Sequence, residues 1–159
     1  MLATDFRDSV HKRTWRAVHA ASLGELAAGL SPPTPEFVLF LCADTTDIPG
    51  PELVDIADRL LALGAGYVCC WGPDCERLHD CFDEALTYRG ERSGGVVTTT
   101  WHSAEPLEEA VWFATHSAYP EKHYEAAFAS VVLAVAGPAR WYHGLTDYLA
   151  RGAPMLDEA

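Results

Sequence analysis

The sequence predicts an α/β fold with three layers, in which helices cover a mostly parallel four-stranded sheet of the flavodoxin- or Rossmann-like type. Four short apolar segments alternate with segments of helical periodicity, which is typical of right-handed β-α-β crossovers. A Gly-Pro pair follows three of these segments, at residues 50–51, 72–73 and 137–138, and proline is favoured at the first position of a helix. The expected strand order is 2-1-3-4.

The first predicted strand is the clearest element. Phe37–Ala43 is a continuous apolar run that is followed directly by acids and hydroxyls. Short runs of this kind are typical of strands that are buried on both faces. The other three strands are predicted at Tyr67–Trp71, Val96–Trp101 and Ser130–Ala136.

All 159 residues are assigned to a single domain, since a chain of this length forms one core. Its parts are a helical N-terminal segment at residues 1–30, a Pro-rich connector at 31–35, the α/β core at 36–151 and a frayed tail at 152–159. The extra N-terminal helix is predicted from a loose apolar stripe. Residues 1–16 carry a net charge of +2, so the helix either docks on the acidic body or forms a separate binding arm.

The overall charge limits the classes of partner. The net charge is −12, from 23 acids and 11 Lys and Arg, and such a surface repels the phosphates of nucleic acids and anionic membranes. No segment has the length of a membrane span and no signal peptide is recognised. The five cysteines lie mostly in apolar segments, which predicts reduced core thiols, no structural disulfide and a cytoplasmic location.

Several cofactor and catalytic motifs are missing from the sequence. There is no GxGxxG, GxxxxGK[ST] or GxSxG pattern, so no cofactor is predicted. Cys75 and His79 lie one helical turn apart with Cys70 nearby, but a zinc site needs three or four converging ligands. We interpret these thiols as core residues and His116 and His123 as loop residues, so no metal is predicted. The acids beside Cys75 disfavour a thiolate.

A candidate site follows from the predicted strand order. In an open parallel sheet, ligands bind beyond the carboxyl ends of the strands where the strand order reverses, here between the first and third predicted strands. The candidate ligand-binding residues are Asp44, Thr45, Asp47, Trp71, Asp74, Trp101, His102 and Ser103. His102 and Asp44 are candidates for an acid–base pair, although no catalytic residue is assigned. Alternatively, the aspartates cap helices and the tryptophans cover the end of the sheet.

Three segments resemble a small family of bacterial proteins for which no activity is established. They are Cys70–Asp80 (CWGPDCERLHD), Thr99–Ser103 (TTWHS) and Leu107–Phe113 (LEEAVWF). The likeness extends from about Phe37 to Trp141. It implies a bacterial cytosolic α/β domain, and it transfers no catalytic residue to this chain.

Two functions are therefore expected, and the residues leave open whether the protein is an enzyme. The first is a small acidic binding or regulatory protein that contacts a protein partner, a basic one by charge. Its candidate aromatic anchors are Trp112, Tyr119, Tyr124, Trp141 and Tyr142. The alternative is a small-ligand sensor or an enzyme of hydrolase or transferase type that uses the predicted pocket. A closed homodimer formed through an edge strand is a further possibility.

Overall fold

The computed structural model describes residues 1–90, 96–119 and 129–156 and shows an α/β fold with one six-stranded sheet. The strands are β1 (Leu2–Arg7), β2 (Thr14–Ala20), β3 (Phe37–Ala43), β4 (Ala65–Trp71), β5 (Thr98–Trp101) and β6 (Ser130–Ala136). The helices are α1 (Leu23–Gly29), α2 (Gly50–Ala62), α3 (Cys75–Arg89), α4 (Leu107–His116) and α5 (Ala139–Ala150).

The sheet is mostly parallel. Its strand order is β1-β2-β6-β3-β4-β5, and only the β1–β2 pair is antiparallel. The two central strands, β3 and β6, are buried at every position. All carboxyl ends of the parallel strands therefore lie at one edge of the sheet, which we call the carboxyl end.

Each face of the sheet has its own helical layer and apolar core. Leu39 and Leu41 of β3 pack with α1, α2 and α3 on one face. Val38 and Phe40 point to the other face, where they pack with α4 and α5. Consecutive strand residues alternate between faces, so a continuously apolar strand supplies both cores at once.

The predicted strand order 2-1-3-4 is wrong. In the structure the third predicted strand, β5, pairs with β4, and the fourth, β6, lies between β2 and β3. The reason is burial: β6 has seven buried residues, whereas β5 has four residues that are half-buried or exposed. A strand that is apolar on both faces is stable only in the interior of the sheet, and the short polar strand takes the edge.

The predicted N-terminal helix is also wrong, because residues 2–20 form a β-hairpin that adds two strands to the sheet. Along β2 the burial alternates over most of its length, and the fully buried positions include Trp15 and Ala17. This is the two-residue period of a strand. Arg16 donates to Asp5 on the opposite strand at 2.7 and 2.8 Å. Arg16, one of the basic residues of the N-terminal segment, therefore forms its ion pair within the hairpin.

The hairpin turn packs on the end of α4 and forms what we call the amino-end cluster: Asp8, His11, Arg13, Thr115 and His116. The Asp8 carboxylate accepts hydrogen bonds from the backbone N–H groups of Val10 and His11, at 2.9 and 3.0 Å. His11 Nδ1 lies 3.0 Å from its second oxygen. The Arg13 guanidinium donates to the carbonyl of Thr115, so it neutralises the negative end of α4.

The first residues of the predicted frayed tail contact the body of the protein. Tyr148 Oη donates to the carbonyl of Pro154 at 2.6 Å, and Ala153 is buried. Residues 157–159 lie outside the described part of the chain.

Candidate functional site

A surface cleft of about 550 Å³ opens at the carboxyl end of the sheet. Two loops form most of its wall, residues 71–76 between β4 and α3 and residues 102–105 between β5 and α4, and Trp141 of α5 closes the remaining side. Both loops follow parallel strands, which is where α/β sheets hold their ligands. We call this feature the carboxyl-end cleft.

Gly72 brings the first loop against the end of β3. Its φ is +120°, a conformation that side chains with a Cβ rarely adopt. A Cβ at this position would lie 2.1 Å from the carbonyl oxygen of Ala43. The loop can therefore pass this close to the neighbouring strand only with glycine here.

Two indoles form one wall of the cleft. The rings of Trp71 and Trp141 are half-buried and meet edge to face, with their centroids 5.3 Å apart. Trp71 Nε1 donates to the carbonyl of Glu105 at 2.9 Å, which ties the two loops together. The guanidinium of Arg140 lies 5.7 Å from the centroid of the Trp141 ring. This wall is rigid and presents aromatic surface.

His102 is part of a closed hydrogen-bond network beside the cleft. Only 6% of it is exposed. Its Nδ1 lies 3.1 Å from Glu105 Oε2 and its Nε2 lies 3.0 Å from Thr100 Oγ1, while the ring packs on Phe113 with centroids 4.8 Å apart. Both ring nitrogens are engaged, so the imidazole holds Glu105 in place and has no free nitrogen to offer to a ligand.

Three carboxylates, those of Asp74, Glu76 and Glu105, line the cleft, and none of its described lining residues is Lys or Arg. Asp74 accepts a hydrogen bond from Arg77 Nε at 2.6 Å and Glu105 pairs with His102. Glu76 is exposed and has no ion-pair partner within the described parts of the chain. The cleft is therefore acidic, and Glu76 supplies the carboxylate that no internal ion pair neutralises.

Cys75 lies at the start of α3 and lines the cleft with little exposure. Burial raises the pKa of its thiol and outweighs the backbone N–H groups of His102, Cys75 and Gly72, which lower it. The thiol is therefore protonated at neutral pH. Glu76 acts in the same direction, as the sequence predicted, but burial is the larger cause. All five cysteines are buried and free.

The structure brings four of the eight candidate residues to one cleft. Trp71, Asp74, His102 and Ser103 all line it. The crevice predicted between the first and third strands does not exist, because β4 separates β3 from β5. The site lies one strand further along, at the ends of β4 and β5.

The three candidates that follow β3 lie outside the cleft lining. Asp44 is exposed and accepts hydrogen bonds from the hydroxyl and backbone N–H of Thr46, which lower the pKa of its carboxyl group. Thr45 is buried and donates to the carbonyl of Asp74 at 3.3 Å. Asp47 is exposed. The structure thus gives His102 a different carboxylate partner, Glu105, from the Asp44 that the sequence indicated.

Trp101 lies on the α3 side of β5, outside the cleft lining. It is 43% exposed, and its ring lies 4.6 Å from that of His79. His79 in turn sits between two carboxylates, with Nδ1 at 3.0 Å from Asp80 and Nε2 at 3.5 Å from Asp83. These three side chains have ligand atoms within 4.8 Å of one another. Each nitrogen faces its own acid, an arrangement that suits ion pairing on the surface of α3.

The remaining histidines and aromatic anchors are dispersed. His116 belongs to the amino-end cluster, where burial lowers its pKa, and His123 and Tyr124 lie outside the described residues. Among the other proposed anchors, Tyr119 is exposed, Tyr142 is buried against Thr4, and Trp112 and Trp141 pack on the second core.

Sequence reasoning missed three residues of the cleft in their present roles, Glu76, Glu105 and Trp141. Glu105 follows His102 by three residues in a turn, and this spacing permits the observed contact. The same position is equally typical of a residue that precedes a helix, here α4. Trp141 lies 70 residues beyond Trp71, and only the packing of α5 brings it to this edge.

No helix within the described residues has both the length and the apolar character needed to cross a membrane. Neither the curated proteins nor the solved structures contain a significant match to the sequence. One family model does match, over residues 15–151, and its description is a domain of unknown function, DUF7684. The match covers β2 to α5 and with them the complete carboxyl-end cleft. The chain therefore belongs to the DUF7684 family.

Proposed function

We propose that this protein binds a small organic ligand in the carboxyl-end cleft. The observation that carries the proposal is the convergence of two indoles and three carboxylates on one opening of about 550 Å³. Sites for small molecules occupy roughly 300–1,000 Å³ and combine aromatic surface with a few fixed polar groups. The cleft has that size and that composition.

The chemistry of the cleft supports binding and recognition. A histidine that acts as a general base needs a free nitrogen within reach of the substrate, and both nitrogens of His102 are engaged by Thr100 and Glu105. A cysteine nucleophile needs a lowered pKa, whereas burial raises that of Cys75. His102 and Cys75 therefore contribute to the structure of the cleft wall. This arrangement supports a role as a ligand-binding or sensor domain.

The proposal is tested by screening a fragment library against the protein with saturation-transfer NMR. Ser103 is an exposed residue of the lining, so Ser103→Trp fills the cleft from its open side. We expect this variant to lose the fragments that bind the wild type while its free energy of unfolding changes by less than about 0.5 kcal/mol. Ser9→Trp, at an exposed turn, is the matched control, and we expect it to bind the same fragments as the wild type. Equal binding to both variants would place the ligand elsewhere.

A second candidate function is association with a basic protein, and the surface around Trp101 favours it. The indole is 43% exposed at the sheet edge, and the neighbouring helix α3 carries the exposed acids Asp80, Asp83 and Glu84. An exposed aromatic anchor with acids around it suits a cationic partner. The same acids oppose pairing of two copies through β5, so this face supports a heterologous partner better than a homodimer.

Native mass spectrometry of the untagged protein from its own cells separates the two candidates. An added polypeptide mass that Trp101→Ala removes and Ser103→Trp retains supports the protein partner. A small retained mass that Ser103→Trp removes and Trp101→Ala retains supports ligand binding in the cleft. We place the protein in the cytoplasm, since five free buried thiols suit a reducing compartment.

A further inference from the structure

We infer that the ligand of the carboxyl-end cleft is an organic cation, an amine or a quaternary ammonium compound. This inference rests on the proposed function and narrows it to a chemical class. Its basis is the combination of an indole wall with Glu76, a carboxylate without an ion pair among the described residues, in a cleft whose described lining contains no Lys or Arg.

Aromatic rings attract cations through the negative potential of their faces, and tryptophan does so most strongly. Trp141 already holds one cation in this way, since the Arg140 guanidinium lies 5.7 Å from its ring centroid. Arg140 lies outside the lining of the cleft. The edge-to-face contact with Trp71, at an interplanar angle of 85°, sets the second indole at right angles to the first. Aromatic cages recognise quaternary ammonium groups through the faces of such rings.

The start of α3 lies in the lining of the cleft and favours an anion, because the first N–H groups of a helix carry partial positive charge. Two acids oppose that effect. Asp74 occupies the position before the helix and Glu76 lies in its first turn. An anionic ligand would approach both carboxylates, so their repulsion acts against it. A cationic ligand gains attraction from the same groups.

The carboxylates differ in what they can give to a ligand. Asp74 is ion-paired with Arg77, and Glu105 is hydrogen-bonded to His102, so both carboxylates already have partners within the protein. Glu76 is exposed without such a partner in the described chain. We therefore assign the recognition of positive charge to Glu76 and the fixing of the aromatic wall to Glu105, whose carbonyl accepts from Trp71.

The test uses three probes of nearly equal shape and different charge: choline, 3,3-dimethyl-1-butanol and 3,3-dimethylbutanoate. Binding is followed through the Nε1–H signals of Trp71 and Trp141 in ¹H–¹⁵N correlation spectra. We expect choline to bind about tenfold more tightly than the neutral alcohol, the ratio expected from a cation–π contact together with one carboxylate. The carboxylate probe is expected to bind more weakly than either.

Glu76→Gln tests the source of the preference, and Glu84→Gln on an exposed turn of the same helix is its control. We expect Glu76→Gln to reduce the ratio of choline to alcohol affinity about threefold or more, while Glu84→Gln leaves it unchanged. An unchanged ratio in Glu76→Gln, or equal affinity for choline and the alcohol in the wild type, would overturn the inference.

The failure of this inference is distinguishable from the failure of the proposed function. Suppose that library fragments bind in the cleft and that Ser103→Trp blocks them, but that choline binds no more tightly than the other two probes. Then only the chemical class of the ligand is wrong. If no fragment and no probe shifts the two indole signals, the cleft is not a ligand site and both proposals fall.

Discussion

The amino-end cluster and the carboxyl-end cleft place similar side chains at opposite ends of one sheet, but the carboxylate of the cluster is buried and those of the cleft reach solvent. Each contains a histidine bonded to a carboxylate, His11 with Asp8 at 3.0 Å and His102 with Glu105 at 3.1 Å. In the cluster the carboxylate is 1% exposed, whereas in the cleft Asp74 and Glu76 face solvent. A buried carboxylate of this kind stabilises the fold, whereas an exposed one remains available to a ligand.

The cluster has an energetic cost that the cleft lacks. Arg13 Nε of the cluster and the Nε1 atoms of Trp15 and Trp112, whose rings pack against His116, are buried donors with no hydrogen-bond acceptor within the described chain. Each such group costs about 1–3 kcal/mol. The hydrogen bonds that the cluster does make must offset this cost, so we expect it to be the more sensitive of the two regions to substitution.

The largest expected effect is the loss of Asp8. Asp8→Ala removes the acceptor of three hydrogen bonds and leaves the buried Arg13 without its carboxylate, 3.9 Å away. We expect a loss of about 3–5 kcal/mol in the free energy of unfolding, measured by urea titration. Asp5→Ala, which breaks the exposed pair with Arg16, should cost less than about 1 kcal/mol. Equal losses would show that burial does not distinguish the two pairs.

A smaller effect is expected from the loop that shapes the cleft. Gly72→Ala introduces a Cβ 2.1 Å from the Ala43 carbonyl at a φ of +120°, so the loop must move. We expect a loss of about 2–3 kcal/mol together with a weaker affinity of the cleft for its fragments. Gly50→Ala, where nothing lies within 4 Å of the new Cβ, is the control for both measurements. Retained affinity in Gly72→Ala would mean that the loop does not shape the site.

The smallest effect is a pH dependence confined to the amino-end cluster. Burial lowers the pKa of His116 in the folded protein, and the charges of His11 and Arg13 add to this, against the opposing effects of the Trp112 carbonyl and Asp8. On acidification the unfolded chain therefore binds a proton near pH 6.5 before the folded one does. Stability is complete above that pH and falls as the pH is lowered through it.

We expect His116→Gln to flatten this dependence when unfolding is compared at pH 7.5 and 5.5. The exposed His143 on α5 provides the matched control, and His143→Gln should leave the dependence as in the wild type. The prediction is contradicted if the free energy of unfolding changes between pH 7.5 and 5.5 by the same amount in both variants.

The elements that the sequence predicted best are those in which one physical signal dominates. β3 and β6 were predicted with the observed bounds, because a short, uninterrupted apolar run fits a strand buried on both faces. Residues 14–20 carry a weaker signal. Their alternation is broken at Val18, and a helical stripe could be drawn through the same residues.

A second signal for the N-terminal region was present but unused. Ser22 accepts from the backbone N–H of Glu25 and Glu25 accepts from that of Ala21, at 3.1 and 2.8 Å. This differs from a capping box only in that Glu25 accepts from the residue before the N-cap, and the pattern Ser-x-x-Glu marks the start of α1 at Leu23. It indicates that the helix begins there and that the residues before it have another structure.

The site was predictable to the extent that it depends on single strands. Trp71, Asp74, His102 and Ser103 follow parallel strands and so meet at one edge. The pairing of His102 with Asp44 depended on the predicted strand order, and that order is wrong because the apolar strand β6 takes the interior and the polar strand β5 the edge. Trp141 enters the cleft through the packing of α5, a contact between residues that are distant in the chain.

The buried cysteines also determine how the protein can be handled. Burial raises the pKa of all five thiols, that of Cys69 to about 12, and thiol-reactive reagents need an accessible thiolate. A cysteine introduced at the exposed Ser117 would therefore react with a maleimide dye far faster than any native one. The protein can then be labelled at a chosen position, for distance or diffusion measurements, with all of its own cysteines left in place.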